Sequence, residues 1–151
     1  MKITELQLQE AVGAYLMRQG FIVMPETQFF SKRIDLFAVN RDTLATIAIE
    51  TKIHDWKRAS LQARTYLMCA DQVFVALPSR LAHQVARKNF DRENIGLLAI
   101  QTFETSPETW DISTVIPAPE STYKKNDYVD HLRGDVLFAR YDNKWESANV
   151  I

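Results

Sequence analysis

The sequence predicts an α/β fold, a mixed sheet flanked by helices. Three features carry that expectation: an amphipathic helix opens the chain, a meander of strand-like runs follows, and strands then alternate with helices. The 151 residues are enough to enclose one core, and 46% hydrophobic with 25% charged residues is ordinary for a globular domain.

Thr4 is placed to cap a helix over residues 5–19, with Leu8, Ala11, Val12, Tyr15 and Leu16 as its apolar stripe and Gly20 as its stop. Residues 21–24 and 33–39 read as strands, and a polar turn at Asn40-Arg41-Asp42 leads into a third strand over 44–52. Asp55 or Ser60 caps a second helix ending near residue 70, and the apolar run 73–77 suits a buried strand. Ser79 is expected to cap a third helix reaching residue 90, followed by a buried strand over 96–102. Beyond Phe103 the pattern decays into a proline-marked connection, with a short helix before Gly134 and a strand over 136–141. The expected organisation is a core over residues 1–102, with 103–151 as a C-terminal extension of the same domain.

A formal net charge of -1 argues against a protein that coats nucleic acid through a broad positive field, and leaves room for a local basic patch. The lone Cys69 lies in an apolar helical pattern and reads as a small buried hydrophobe. One cysteine cannot form an internal disulfide, which fits a reducing compartment. The polar start and the lack of a bilayer-length apolar run point to a cytoplasmic location without a membrane partner.

The chemistry concentrates where the third strand ends. Alternation turns Glu50 and Lys52 to one face and Thr51 to the other, the face of Ile47 and Ile49, which is then the expected core face. Counting back through the Asn40 turn brings Asp35 near the level of Glu50. Two carboxylates held that close repel unless a cation lies between them, and magnesium, with its taste for hard oxygen ligands and retained waters, suits the position. Such an ion polarises a phosphoryl oxygen and acidifies a bound water, while Lys52 positions that water and offsets charge building on the phosphate. Hydrolysis of a phosphodiester is the expected reaction.

Asp35 followed by Glu50-Thr51-Lys52 resembles the signature of the PD-(D/E)XK nuclease superfamily, whose restriction-endonuclease-like core has the order α-β-β-β-α-β. Gln62 and Tyr66 on the second helix look like the Gln-x-x-x-Tyr motif of one branch, and lie four residues apart on one helical face. The resemblance spans residues 2–102. It departs from the family pattern at Ile34, where a proline often precedes the aspartate. It implies a Mg²⁺-dependent nuclease, with Mn²⁺ able to substitute, that acts on nucleic acid, most naturally DNA, in repair, recombination, restriction or phage defence. It also implies that Gln62 and Tyr66 border the site, touching water, metal or the nucleic-acid backbone. Many members add a glutamate from the first helix to the metal. Glu5 and Glu10 compete for that role, and the helical wheel selects Glu5, which falls on the inward stripe between Val12 and Leu16.

Each piece also has a plainer reading. Glu-x-Lys on a strand is usually a solvated charge pair, and only Asp35 in register with the Gln62/Tyr66 helix behind it changes the balance. Glu5 also suits the positive end of its helix dipole. Arg80, His83 and Arg87 make a basic stripe on the third helix. Such stripes are commonly solvent faces, yet this one, with Lys57 and Arg58 from the second helix, is placed to hold phosphates. The competing function class is a catalytically silent nucleic-acid-binding or assembly module on the same fold, and a homodimer is compatible with either.

Overall fold

The computed structural model describes residues 2–88, 90 and 94–139. Helix α1 (Glu5–Arg18) begins in a reciprocal cap: the Gln7 amide donates to the Thr4 hydroxyl over 3.2 Å and the Thr4 amide to Gln7 Oε1 over 3.0 Å. A cap of this kind stabilises a helix by about 1 kcal/mol. Gly20, at φ +92°, takes a left-handed conformation that turns the chain directly into β1 (Phe21–Phe29).

The strands β1, β2 (Lys32–Asn40), β3 (Thr46–Thr51), β4 (Gln72–Pro78), β5 (Gly96–Gln101) and β6 (Asp111–Ile116) form one six-stranded sheet in chain order. The first three pair antiparallel, β3, β4 and β5 run parallel, and β6 returns antiparallel to β5. The two parallel crossovers are made by α2 (Trp56–Thr65) and α3 (Ser79–Ala86), and α4 (Asn126–Ala139) closes the described chain.

Both faces of the sheet are covered. Leu8, Ala11, Val12 and Leu16 of α1 pack with Leu36, Ile47, Ile49 and Phe74 on one side. On the other, Ala59, Ala63, Val85, Leu132 and Val136 from the remaining helices pack with Phe37, Ala48 and Val75. All six residues of β3 are therefore buried, and the expectation of a single core face for that strand is corrected. A parallel neighbour and helices on both sides make the difference.

The boundaries move for local reasons. Leu44 lies in the turn at φ +64°, where Asn40 Oδ1 accepts the amides of Asp42 and Thr43, so β3 starts at Thr46 rather than residue 44. Pro25 sits within β1, an edge strand that tolerates its missing amide hydrogen. Ser79 is the first residue of α3 rather than its cap, and that helix ends at Ala86, short of residue 90. The 103–139 segment holds more structure than its composition suggested, since β6 extends the sheet edge and α4 runs through Gly134. Val136, expected in a strand, is a helical residue 1% exposed, while residues 140–141 of that expected strand lie outside the described residues.

Candidate active site

The pairing of β2 with β3 runs Leu36↔Ile49, Phe37↔Ala48, Ala38↔Ile47 and Val39↔Thr46. One further step puts Asp35 opposite Glu50, and alternation places both on the face of Phe37 and Ala48. In place of another ladder bond, Asp35 Oδ2 accepts the Thr51 amide over 2.8 Å and the Thr51 hydroxyl over 3.0 Å. On the other side of β2 the pleat is irregular. Pro25 and Thr27 pair with Leu36 and Ile34, while Glu26 between them adopts φ +55°.

Glu50 is 4% exposed, and its Oε1 accepts the Tyr66 hydroxyl over 2.7 Å. Burial, and then the neighbouring Asp35 charge, push its carboxyl up to about 8. Asp35 is raised too, first by burial, with the Thr51 bonds opposing and the charges of Glu26 and Glu5 adding to the rise. Both shifts have the cause expected of acids crowded together out of water. Each group also keeps an oxygen, Asp35 Oδ1 and Glu50 Oε2, that makes none of the described hydrogen bonds.

Lys52 follows β3, where its amide donates to the Ala76 carbonyl over 3.1 Å and so extends the alignment with β4. Its Nζ lies 3.7 Å from Glu5 Oε1, with the two side chains 24% and 43% exposed. Glu5 also adds to the repulsion felt by Asp35 and Glu50, so the first turn of α1 reaches the carboxylate cluster. Glu10 lines a separate hollow with Gln9, Glu26 and Leu36.

Tyr66 begins a 3-10 turn directly after α2. The resemblance placed it at the border of the site, touching water, metal or the nucleic-acid backbone; it is 2% exposed and directed at Glu50, so it positions that carboxyl from inside the core. Burial first, then Glu50, raise its phenol and keep it a donor. Gln62, half-buried on α2, makes no side-chain hydrogen bond to Asp35, Glu50 or Lys52 among the described residues. Asp55 caps α2 as expected, accepting the Arg58 amide. Cys69 is buried, its thiol pushed up to about 12.

The cationic candidates are distributed unevenly. Lys57 and Arg58 are exposed on the first turn of α2, four and five residues beyond Ile53, with Lys57 Nζ 5.7 Å from the Trp56 ring centre. Arg80 is exposed where β4 passes into α3, at the sheet edge that also carries Lys52, because Thr51 pairs with Ala76. Arg87 is exposed at the far end of α3, roughly 10 Å further along the helix axis. Only Arg80 of that stripe therefore starts near the carboxylates.

Sequence reasoning missed Thr51 and Glu26. Thr51 has a legible signal, since a polar residue in a strand of Ile and Ala must find a partner if it is buried. Glu26 has none, and it reaches the site as a charge that adds to the rise of Asp35.

The donor set fits a small hard cation. Magnesium commonly takes one or two carboxylates and completes its sphere with water, which Asp35 and Glu50 suit. Among the described residues no group of three or more His, Cys, Asp or Glu side chains is arranged to hold a metal ion.

Taken together, these features define a mixed α/β protein with a six-stranded, helix-flanked sheet and an acidic pair, Glu50 buried and Asp35 partly so, on its neighbouring strands. No helix among the described residues is long and apolar enough to cross a membrane. Neither protein-family models nor curated proteins give a match. Among solved structures, a protein of unknown function from Silicibacter pomeroyi is similar, with a TM-score of 0.70 and 18% identity over 94% of this chain and 90% of that one. That likeness shows a shared fold.

Proposed function

We propose that this protein is a divalent-metal-dependent nuclease of the PD-(D/E)XK kind, hydrolysing phosphodiester bonds in DNA. The observation that carries the reading is the pairing of Asp35 with Glu50 across β2 and β3, both raised first by burial, with Asp35 adding to the rise of Glu50 and with Lys52 two residues on. The sequence order of helix, three antiparallel strands, helix and parallel strand agrees with the core expected of that superfamily.

Asp35 and Glu50 would hold Mg²⁺, or Mn²⁺ in its place, which supplies positive charge to the scissile phosphate and acidifies a bound water. The Thr51 bonds fix one Asp35 oxygen and the Tyr66 bond fixes one Glu50 oxygen, so the remaining oxygens are aimed with little freedom. Lys52 donates to the attacking water and to the phosphate oxygens as charge builds on them, and Glu5 keeps its ammonium in place. The water gives up a proton as its oxygen forms the new bond to phosphorus, the ester bond to the departing sugar oxygen breaks, and that oxygen takes up a proton in turn. Lys57, Arg58 and Arg80 are the exposed cations best placed to hold flanking phosphates.

A silent binding module on the same fold is favoured by one observation: Glu50, buried and raised, already has the Tyr66 hydroxyl as a partner without any metal. Incubating purified protein with supercoiled plasmid and branched DNA separates the readings. The nuclease nicks or linearises DNA with Mg²⁺ and stops with EDTA. Binding without cleavage under either Mg²⁺ or Mn²⁺ assigns the silent module.

A further inference from the structure

The turn joining β1 to β2 carries a feature that packing does not explain. Phe30 is 68% exposed and has φ +54°, a left-handed backbone that a bulky residue adopts only at a cost. The ring is held edge-on by Phe29, centroids 4.8 Å apart, and by Tyr128 of α4, centroids 5.3 Å apart. The Gln28 side chain braces the turn by donating to the Phe30 carbonyl.

Beside this ring opens a cavity of about 430 Å³, walled by Phe29, Phe30, Tyr128 and Leu132, with His131 and Asp135 at its rim. That volume is within the range of small-molecule sites. Its make-up, an aromatic wall with one carboxylate and one imidazole, suits a flat heterocycle carrying amino and carbonyl groups. Exposed Lys32 and Arg33 follow after Ser31. Arg33 meets Glu26 only at 3.8 Å and both side chains are largely in water, so that pair yields readily to a phosphate. The same strand leads to the candidate active site: Lys32 is three residues from Asp35, about 10 Å along β2, and the Arg33 carbonyl accepts the Tyr66 hydroxyl over 3.4 Å.

We infer that the Phe30 turn and its cavity receive an unpaired nucleobase, with Lys32 and Arg33 on the adjoining phosphates, so that the preferred substrate has a single-stranded segment next to the bond cut at Asp35 and Glu50. This rests on the nuclease reading and adds a substrate class to it. The base stacks on Phe30 and presents its polar edge to His131 and Asp135, while the backbone crosses Lys32 towards the carboxylates. A protein partner would have no need of cations continuous with the acidic pair.

The test uses the full chain in Ca²⁺, which holds off cleavage, with a DNA oligonucleotide carrying 2-aminopurine in a single-stranded overhang and a blunt duplex of matching sequence. The native protein is expected to prefer the overhang and quench its fluorescence. Phe30→Ala weakens overhang binding by about five- to a hundredfold and abolishes quenching, Phe30→Trp retains both, and blunt-duplex binding changes less than twofold in either variant. Lys32→Ala lowers the salt slope of overhang binding by about one unit. Overhang binding and quenching unchanged in Phe30→Ala overturn the inference, as does Phe30-dependent self-association in a protein that binds no DNA. A parallel Mg²⁺ cleavage assay keeps the two readings apart. Cleavage indifferent to Phe30 defeats this inference alone, whereas Phe30-dependent binding without any cleavage defeats the nuclease reading and leaves the base site standing.

Discussion

The Tyr66 hydroxyl donates to Glu50 Oε1 over 2.7 Å, joining the turn after α2 to the carboxyl at the centre of the sheet. Phenol and carboxyl are both removed from water, and the bond opposes the rise in Glu50 that burial and Asp35 cause. Tyr66→Phe therefore raises Glu50 further and leaves its oxygen without a donor. Urea unfolding should show a loss of about 1 kcal/mol. Mn²⁺ binding followed by calorimetry should weaken near neutrality and recover at alkaline pH. Wild-type metal affinity at neutral pH in Tyr66→Phe would remove the tyrosine from the site.

Glu50 also makes stability depend on pH in a definite direction. Its folded value, about 8, lies above the ordinary 4.5, so in metal-free protein the folded state holds the extra proton. The stabilising effect of that proton is complete below the ordinary value and is lost as pH rises through the folded one. Unfolding free energy should fall across this window by up to about 1.4 kcal/mol per pH unit for this group. Glu50→Gln should flatten that fall, leaving only the smaller part due to Asp35. An identical pH slope in native protein and Glu50→Gln, measured by denaturant titration in EDTA, would contradict the assignment.

Lys52→Ala separates chemistry from metal binding. In the proposed reaction the ammonium acts on water and phosphate, so turnover should drop by roughly a hundredfold or more, the scale of losing one charge-stabilising group. Because Lys52 also holds Glu50 down, Mn²⁺ affinity is best compared at alkaline pH, where Glu50 is ionised in both proteins. There it should agree with native within a few-fold. If binding is abolished at that pH, Lys52 is holding the site together instead.

The pairing Asp35/Glu50 was legible because an antiparallel hairpin conserves parity: once the chain reverses through the Asn40 turn, Val39↔Thr46 implies every pair up to Leu36↔Ile49. Helical spacing also distinguished Glu5 from Glu10, and it is Glu5 that lies beside Lys52. The burial of Glu50 was not legible, because it depends on Tyr66, 16 residues further along the chain. The α4 boundary failed through a local misreading. Val136-Leu137-Phe138 looks like a strand run, yet Val129, Leu132 and Val136 already carry three- and four-residue spacing. β6 was masked by the prolines around it.

The first turn of α1 provides another test. Glu5→Gln removes the partner of Lys52, an exposed interaction on the order of 1 kcal/mol, and should slow cleavage roughly fivefold. Glu10→Gln, facing another hollow, should stay within twofold of native. Equal rates in both variants would show that α1 contributes nothing to catalysis.

The central claim is that Asp35 and Glu50 act as one metal-dependent catalytic pair, and a single cleavage series tests it most directly. Native protein, Asp35→Ala and Glu50→Ala, each confirmed folded by its unfolding transition, are incubated with overhang-bearing DNA in Mg²⁺. The account predicts cleavage by the native protein alone, with both variants at the level of the EDTA control. Cleavage by either variant at a rate near native would contradict it.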